Sequence, residues 1–157
     1  MERRRAREAA MRALYQMDLS GCGPRRAVEY AIGDSPDLPL SPHAKEYAES
    51  LVMGAWAHRE AIDSEIASLA RDWSVGRMSP TDRNVMRVAV YEMLYVDGVP
   101  MATSIDEAVE IAKIYGSADS PRFINGILGG LAEKLRATRG RSGAEESQED
   151  TGSEPRD

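Results

Sequence analysis

An all-helical fold is what this sequence predicts, and three observations predict it. Apolar residues recur at helical spacing along almost the whole chain. Three serine–proline pairs, at 41–42, 79–80 and 120–121, each stand just before such a run, as an N-cap with proline at the first helical position, while a fourth, at 35–36, lies in an expected loop. Gly21 and Gly116 each follow the end of a run. The 157 residues suffice for one domain, or for two small helical halves sharing a core, without disulfides.

In chain order, Ala6, Ala10, Ala13, Leu14 and Met17 give the apolar side of a first helix over Glu2 to Ser20. A short helix is expected over Pro24 to Ile32, then a loop from Gly33 to Ser41 that contains Pro36 and Pro39. From Pro42, the stripe Ala44, Tyr47, Ala48, Leu51, Val52 and Ala55 marks a buried helical face. The pattern continues from His58 through Ile62, Ile66 and Leu69 to Trp73 and breaks over 74–80. The next helix, from Ser79-Pro80 to about Val96, is apolar nearly all round, which marks it as central. Asp97 to Pro100 is a turn, after which Ser104 and Glu107 have capping-box spacing. Ser120-Pro121 opens the last helix, whose Gly126, Gly129 and Gly130 suggest close approach of another segment. Residues 138–157 are mostly Gly, Ser, Glu and Asp, six acidic against three basic, and read as a disordered acidic tail. The folded body is therefore 1–137, with a junction between two subdomains near 74–80.

The charge pattern is the functional clue. The net charge is −6, and the tail supplies about half of it. Against that background Arg3, Arg4, Arg5, Arg7 and Arg12 crowd the opening turns of the first helix, facing only Glu2 and Glu8 there. Guanidinium groups stay charged and fork onto phosphate oxygens, so the cluster suits a polyanion. Arginine at a helix N-terminus opposes the helix dipole, so the placement does not serve the helix itself. An exposed helix end crowded with charge is the plainer alternative.

Other chemistry is missing. One cysteine excludes an internal disulfide, and two histidines, His43 and His58, form no metal-ligand pattern. Neither a glycine-rich phosphate loop nor a paired catalytic constellation occurs. No metal, cofactor or catalytic residue is expected. No apolar run is long enough to span a membrane, so a cytoplasmic protein is expected.

Several motifs in order resemble one family. These are Arg3-Arg4-Arg5-Ala6-Arg7-Glu8 with Ala13-Leu14-Tyr15, then Asp82 to Met93, Val99-Pro100, Ile105 to Lys113, and Asp119 to Leu128. Together they resemble the bacterial transcription antitermination factors of the NusB family over roughly Arg3 to Leu135. The resemblance implies a pair of small helical bundles with about seven helices. It implies a non-catalytic, cytoplasmic RNA-binding factor that takes single-stranded boxA RNA of ribosomal RNA leader transcripts. The partner is NusE, a small-subunit ribosomal protein, within the RNA polymerase antitermination complex. Carried over by position, the RNA surface is Arg3, Arg4, Arg5, Arg7, Tyr15, Asp119 and Phe123. Contacts with the partner protein fall around Asp82 and Arg83, on a surface expected to be separable from the RNA face. Some relatives pair with themselves, so a homodimer stays open.

Alternatives remain for individual residues. Tyr15 and Phe123 also fit plain core packing, and Asp119 also fits a helix cap ahead of Pro121. For the whole chain, the rival readings are an RNA module detached from a ribosomal RNA methyltransferase and a helical protein-interaction module without RNA binding. The lack of strands and the acidic tail favour a free-standing factor.

Overall fold

The structure, a computed structural model, describes residues 2–33, 39–71 and 73–149, with side chains as far as Arg139. Among the described residues there are seven α-helices and no strand. They are α1 Glu2–Ser20, α2 Pro24–Val28, α3 Pro42–Ala57, α4 Arg59–Leu69, α5 Pro80–Tyr95, α6 Met101–Tyr115 and α7 Ser120–Glu149. A π-helical turn, Glu29–Gly33, continues α2, and a 3-10 turn, Val75–Arg77, precedes α5.

Two of the three serine–proline signals work as read. Ser41 Oγ accepts from the Ala44 amide at 3.2 Å and Ser79 Oγ from the Asp82 amide at 3.1 Å, satisfying one orphan donor of each helix. The third differs. Ser120 is 2% exposed, and its Oγ accepts from the Ser117 amide at 3.0 Å, so it closes the preceding turn. The first bond of α7 instead runs from the Phe123 amide to the Asp119 carbonyl, at 3.1 Å. Gly116 is required there because a Cβ would stand 2.6 Å from Ser120 Cβ.

The expected capping box is not one. The helix starts a turn earlier, at Met101, and both side chains are taken by other helices: Ser104 Oγ donates to Glu92 and Glu107 binds Arg4. The helix expected to reach Trp73 ends at Leu69, and Trp73 lies 54% exposed beyond it. Of the three late glycines, only Gly130 has a close neighbour, Leu69 Cδ2, 3.2 Å from where its Cβ would be. The helical backbone of α7 runs on to Glu149, past the expected start of the tail at 138. From Arg136 to Arg139 its side chains are exposed, and the tail's last residues, 150–157, lie outside the described residues.

The core is one cluster. Helix α5 lies at its centre, in contact with α1, α3, α4, α6 and α7, as its all-round apolar sequence requires. Leu51, Ile62, Ile66, Ile124, Leu128 and Leu131 are fully buried around it, as are its own Met86 and Val90. Helix α1 runs antiparallel to α5, with Arg7 beside Glu92 and Asp18 beside Arg83 and Asn84. It runs alongside α6 in the same direction, with Arg4 on Glu107 and Glu8 on the Tyr115 hydroxyl.

Helix α3 crosses α5 where Gly54 lets the Tyr91 ring lie against the backbone, in the space a Cβ would fill. Gly54→Ala should therefore destabilise the fold by about 1–3 kcal/mol through overpacking. Gly126→Ala, with open space around it, should stabilise by up to about 1 kcal/mol. Thermal melts of the two variants check this, and a Gly54→Ala midpoint at or above wild type would contradict the packing described.

Candidate nucleic-acid interface

The arginines of α1 do not form one surface. Arg7 is 4% exposed, and its Nε donates to both carboxylate oxygens of Glu92 at 2.9 Å. Glu92 also accepts from Ser104 Oγ at 3.2 Å and from the Tyr47 hydroxyl in a very short bond. Burial and the Glu92 carboxylate push the Tyr47 phenol up to about 12, so it stays a neutral donor. Arg7 is thus a buried partner of α5 and faces no solvent, which corrects its placement on the RNA surface. The reason is helical phase: Arg7 lies on the same side of α1 as Met11 and Leu14, the side that enters the core.

Arg4 is engaged in a bidentate pair with Glu107, at 2.7 and 3.0 Å. That hydrogen bond, with the attraction of the guanidinium, holds the Glu107 carboxyl below the usual glutamate range. The pair is half-exposed, so Arg4 can still face a ligand only while shared with Glu107. Arg3 and Arg5 are exposed, Arg12 is half-exposed, and none of the three makes an ion pair among the described residues. The Arg3 guanidinium sits 4.5 Å over the Tyr47 ring, at the edge of a cleft of about 470 Å³ shared with His43, Glu46 and Ser50. Tyr15 is half-buried and packs against the core.

The second group lies beside the start of α5. Asp119 and Phe123 line a cleft of about 350 Å³ together with Trp73, Arg77 and Asp82. Phe123 is half-buried, with part of its ring on the core. Asp119 is exposed, and its carboxylate accepts no hydrogen bond among the described residues, so it does not cap α7. Asp82 Oδ1 is buried with no partner in the structure. Asp82, expected among the contacts with the partner protein, thus lines the same cleft as Asp119 and Phe123, expected among the RNA contacts. Arg83 is turned away from this cleft's chemistry, donating to Asp18 at 2.8 Å. Arg7 meets Glu92 ten residues along α5 from Asp82, so the cleft lies about 15 Å along that helix from the α1 cluster.

Residues 4–133 match the NusB family. The chain belongs to the NusB family. A transcription antitermination protein NusB from Symbiobacterium thermophilum is 44% identical over 152 residues, covering 94% of this chain and 97% of that protein. One from Bacillus cereus is 44% identical over 136 residues, 86% of this chain and all of its own. Among solved structures, T. maritima NusB aligns with a TM-score of 0.76 at 36% identity, covering 83% of this chain and 90% of its own. A crystal structure of the antitermination factors NusB and NusE in complex with dsRNA aligns with a TM-score of 0.76 at 28% identity, covering 85% of this chain and 97% of that one. The helical fold is thus that of the NusB family, as expected from the motifs.

Sequence reasoning missed Tyr47, Glu92 and Glu107, which decide which arginines remain available. A carboxylate at 92 inside a helix otherwise apolar on nearly all sides was the available signal, since a buried charge needs a partner. The histidines are exposed, as read, and His58 stacks on Tyr95 with ring centroids 4.0 Å apart.

Arg7→Ala should destabilise by about 3–5 kcal/mol, because it strands the buried Glu92 charge. Chemical denaturation measures this, and a loss typical of an exposed arginine would refute the burial. The Arg4–Glu107 pair gives a pH signature. Glu107 has a folded pKa below its unfolded value, so the pair's stabilisation is complete above the ordinary glutamate range and lost as pH falls through the lowered value. The stability gap between wild type and Arg4→Gln should therefore shrink on acidification. A gap that stays constant with pH would contradict the assignment.

Proposed function

We propose that this chain binds boxA-type RNA of ribosomal RNA leader transcripts together with NusE, in the cytoplasm, as part of an RNA polymerase antitermination complex. As a member of the NusB family it is a transcription antitermination factor, not an enzyme. The observation that carries the RNA reading is the sorting of the α1 arginines. Two guanidinium groups are consumed by carboxylates, while Arg3 and Arg5 stand in solvent at the same helix end, unpaired in a chain of net charge −6. Unpaired arginines beside aromatic faces bind phosphates and stack on bases. Asp119 and Phe123 supply a second contact, the ring for a base and the carboxylate for base amino groups. NusE meets the same region through Asp82, so RNA and partner protein share that cleft. Support also comes from the related assembly of NusB and NusE, which was solved with RNA.

That related assembly holds dsRNA, which favours a second reading in which the ligand is a duplex. Competition between single-stranded boxA RNA and its duplex separates the two. A homodimer that covers the α1 face would weaken RNA binding as protein concentration rises.

The Arg3→Ala/Arg5→Ala variant should keep the wild-type melting midpoint. Its slope of log K against log salt should be less negative by about 1.4, at about 0.7 per single-strand phosphate contact. RNA titrations between low and physiological salt give the slope, and an unchanged slope would sink the assignment of these two residues.

A further inference from the structure

The segment from Gly21 to Gly33 carries none of the family motifs, yet it builds a second basic and aromatic surface. Arg25 and Arg26 are exposed on α2, and neither side chain makes an ion pair or hydrogen bond among the described residues. Tyr30, on the π-helical turn that follows, is 71% exposed, and Leu19 at the end of α1 is 59% exposed. An open cleft of about 490 Å³ joins Arg26 and Tyr30 to Gln16 and Ser20 of α1. Among the described residues no carboxylate lines it. Asp18, the nearest acid on α1, is occupied by Arg83, Asn84 and Arg87, and among the described residues Glu29 is the acid on this turn.

Gln16, one wall of this cleft, lies on the same face of α1 as Arg5 and Arg12. Arg5, Arg12 and Leu19 recur every seven residues, so they share one face of α1, and Gln16 is one turn beyond Arg12 on that side. The stripe from Arg5 to Leu19 is about 21 Å long at 1.5 Å per residue. It leads from the exposed N-terminal arginines to the mouth of the α2 cleft.

We infer that α2 and its π-turn form an additional single-stranded RNA contact, in which Arg25 and Arg26 take backbone phosphates and Tyr30 stacks on a base. This rests on the RNA reading above and extends the bound strand along α1. The chemistry is that of sequence-tolerant single-strand binding, a basic groove with a stacking ring. A protein partner is the less suited occupant, because the cleft sets its one ring beside the Arg26 guanidinium, with Arg25 exposed on the same short helix.

The test uses the full chain and a labelled single-stranded RNA of about sixteen nucleotides, long enough to run past the α1 stripe at about 3.4 Å per stacked nucleotide. Arg25→Ala/Arg26→Ala should make the salt slope less negative by about 1.4. Tyr30→Ala should weaken binding at least about fivefold, and Tyr30→Phe should restore it because the stacking ring is kept. Arg136→Ala/Arg139→Ala, on the exposed end of α7, removes the same charge elsewhere and should leave the slope unchanged. Unchanged slope and affinity in both α2 variants, with Arg3→Ala/Arg5→Ala still impaired, would overturn this inference and leave the RNA reading standing. Equal losses in the α7 control would also overturn it, by reducing the effect to net charge. Failure of the wild-type chain to bind the RNA would remove both.

Discussion

The rest of this structure depends on one buried carboxylate. Glu92 sits at 1% exposure in the middle of α5, and an isolated charge there would be costly. It is tolerated because Arg7, Tyr47 and Ser104 all donate to it, one from each of α1, α3 and α6. Four helices are therefore held at one point. A buried ion pair adds little net stability over a well-packed apolar pair, but a partly satisfied one is strongly destabilising. The network acts mainly as a constraint on register: α1 has to present Arg7 inward at this height on α5.

That constraint fixes the function-bearing surface. Once Arg7 points inward, helical phase turns Arg5 and Arg12 outward on one stripe and sets Arg4 against Glu107. Arg3 comes to rest over the Tyr47 ring, whose hydroxyl is in the same network. The core and the candidate RNA face thus share residues, and a sequence that reads as one basic run divides into structural and available cations. At the other end of α5, the same antiparallel packing brings Asp18 to Arg83, Asn84 and Arg87 and leaves Asp82 facing the Asp119–Phe123 cleft.

Most of the fold was legible in the sequence. Helical periodicity with serine N-caps found the starts of α3 and α5, because those signals are local and each serine bonds an amide three residues on. The misreadings occurred where a tertiary partner outcompeted the local role. Ser104 and Glu107 had capping-box spacing but were recruited by Glu92 and Arg4. Ser120 turned back to Ser117. The site was less legible for the same reason. Composition marks an arginine as basic but does not say whether a carboxylate from a distant helix has taken it. Tyr30 and Arg25 carried no periodic signal, since α2 is five residues long and ends in a π-turn.

The central claim is that Arg7 serves the fold and does not meet RNA. Replacing the pair by apolar residues, Arg7→Met with Glu92→Leu, tests it most directly, because such exchanges of buried ion pairs are often neutral for stability. The account predicts a folded protein whose RNA affinity and salt slope match wild type. A slope less negative by about 0.7, one single-strand phosphate contact, in a variant that remains folded would contradict it.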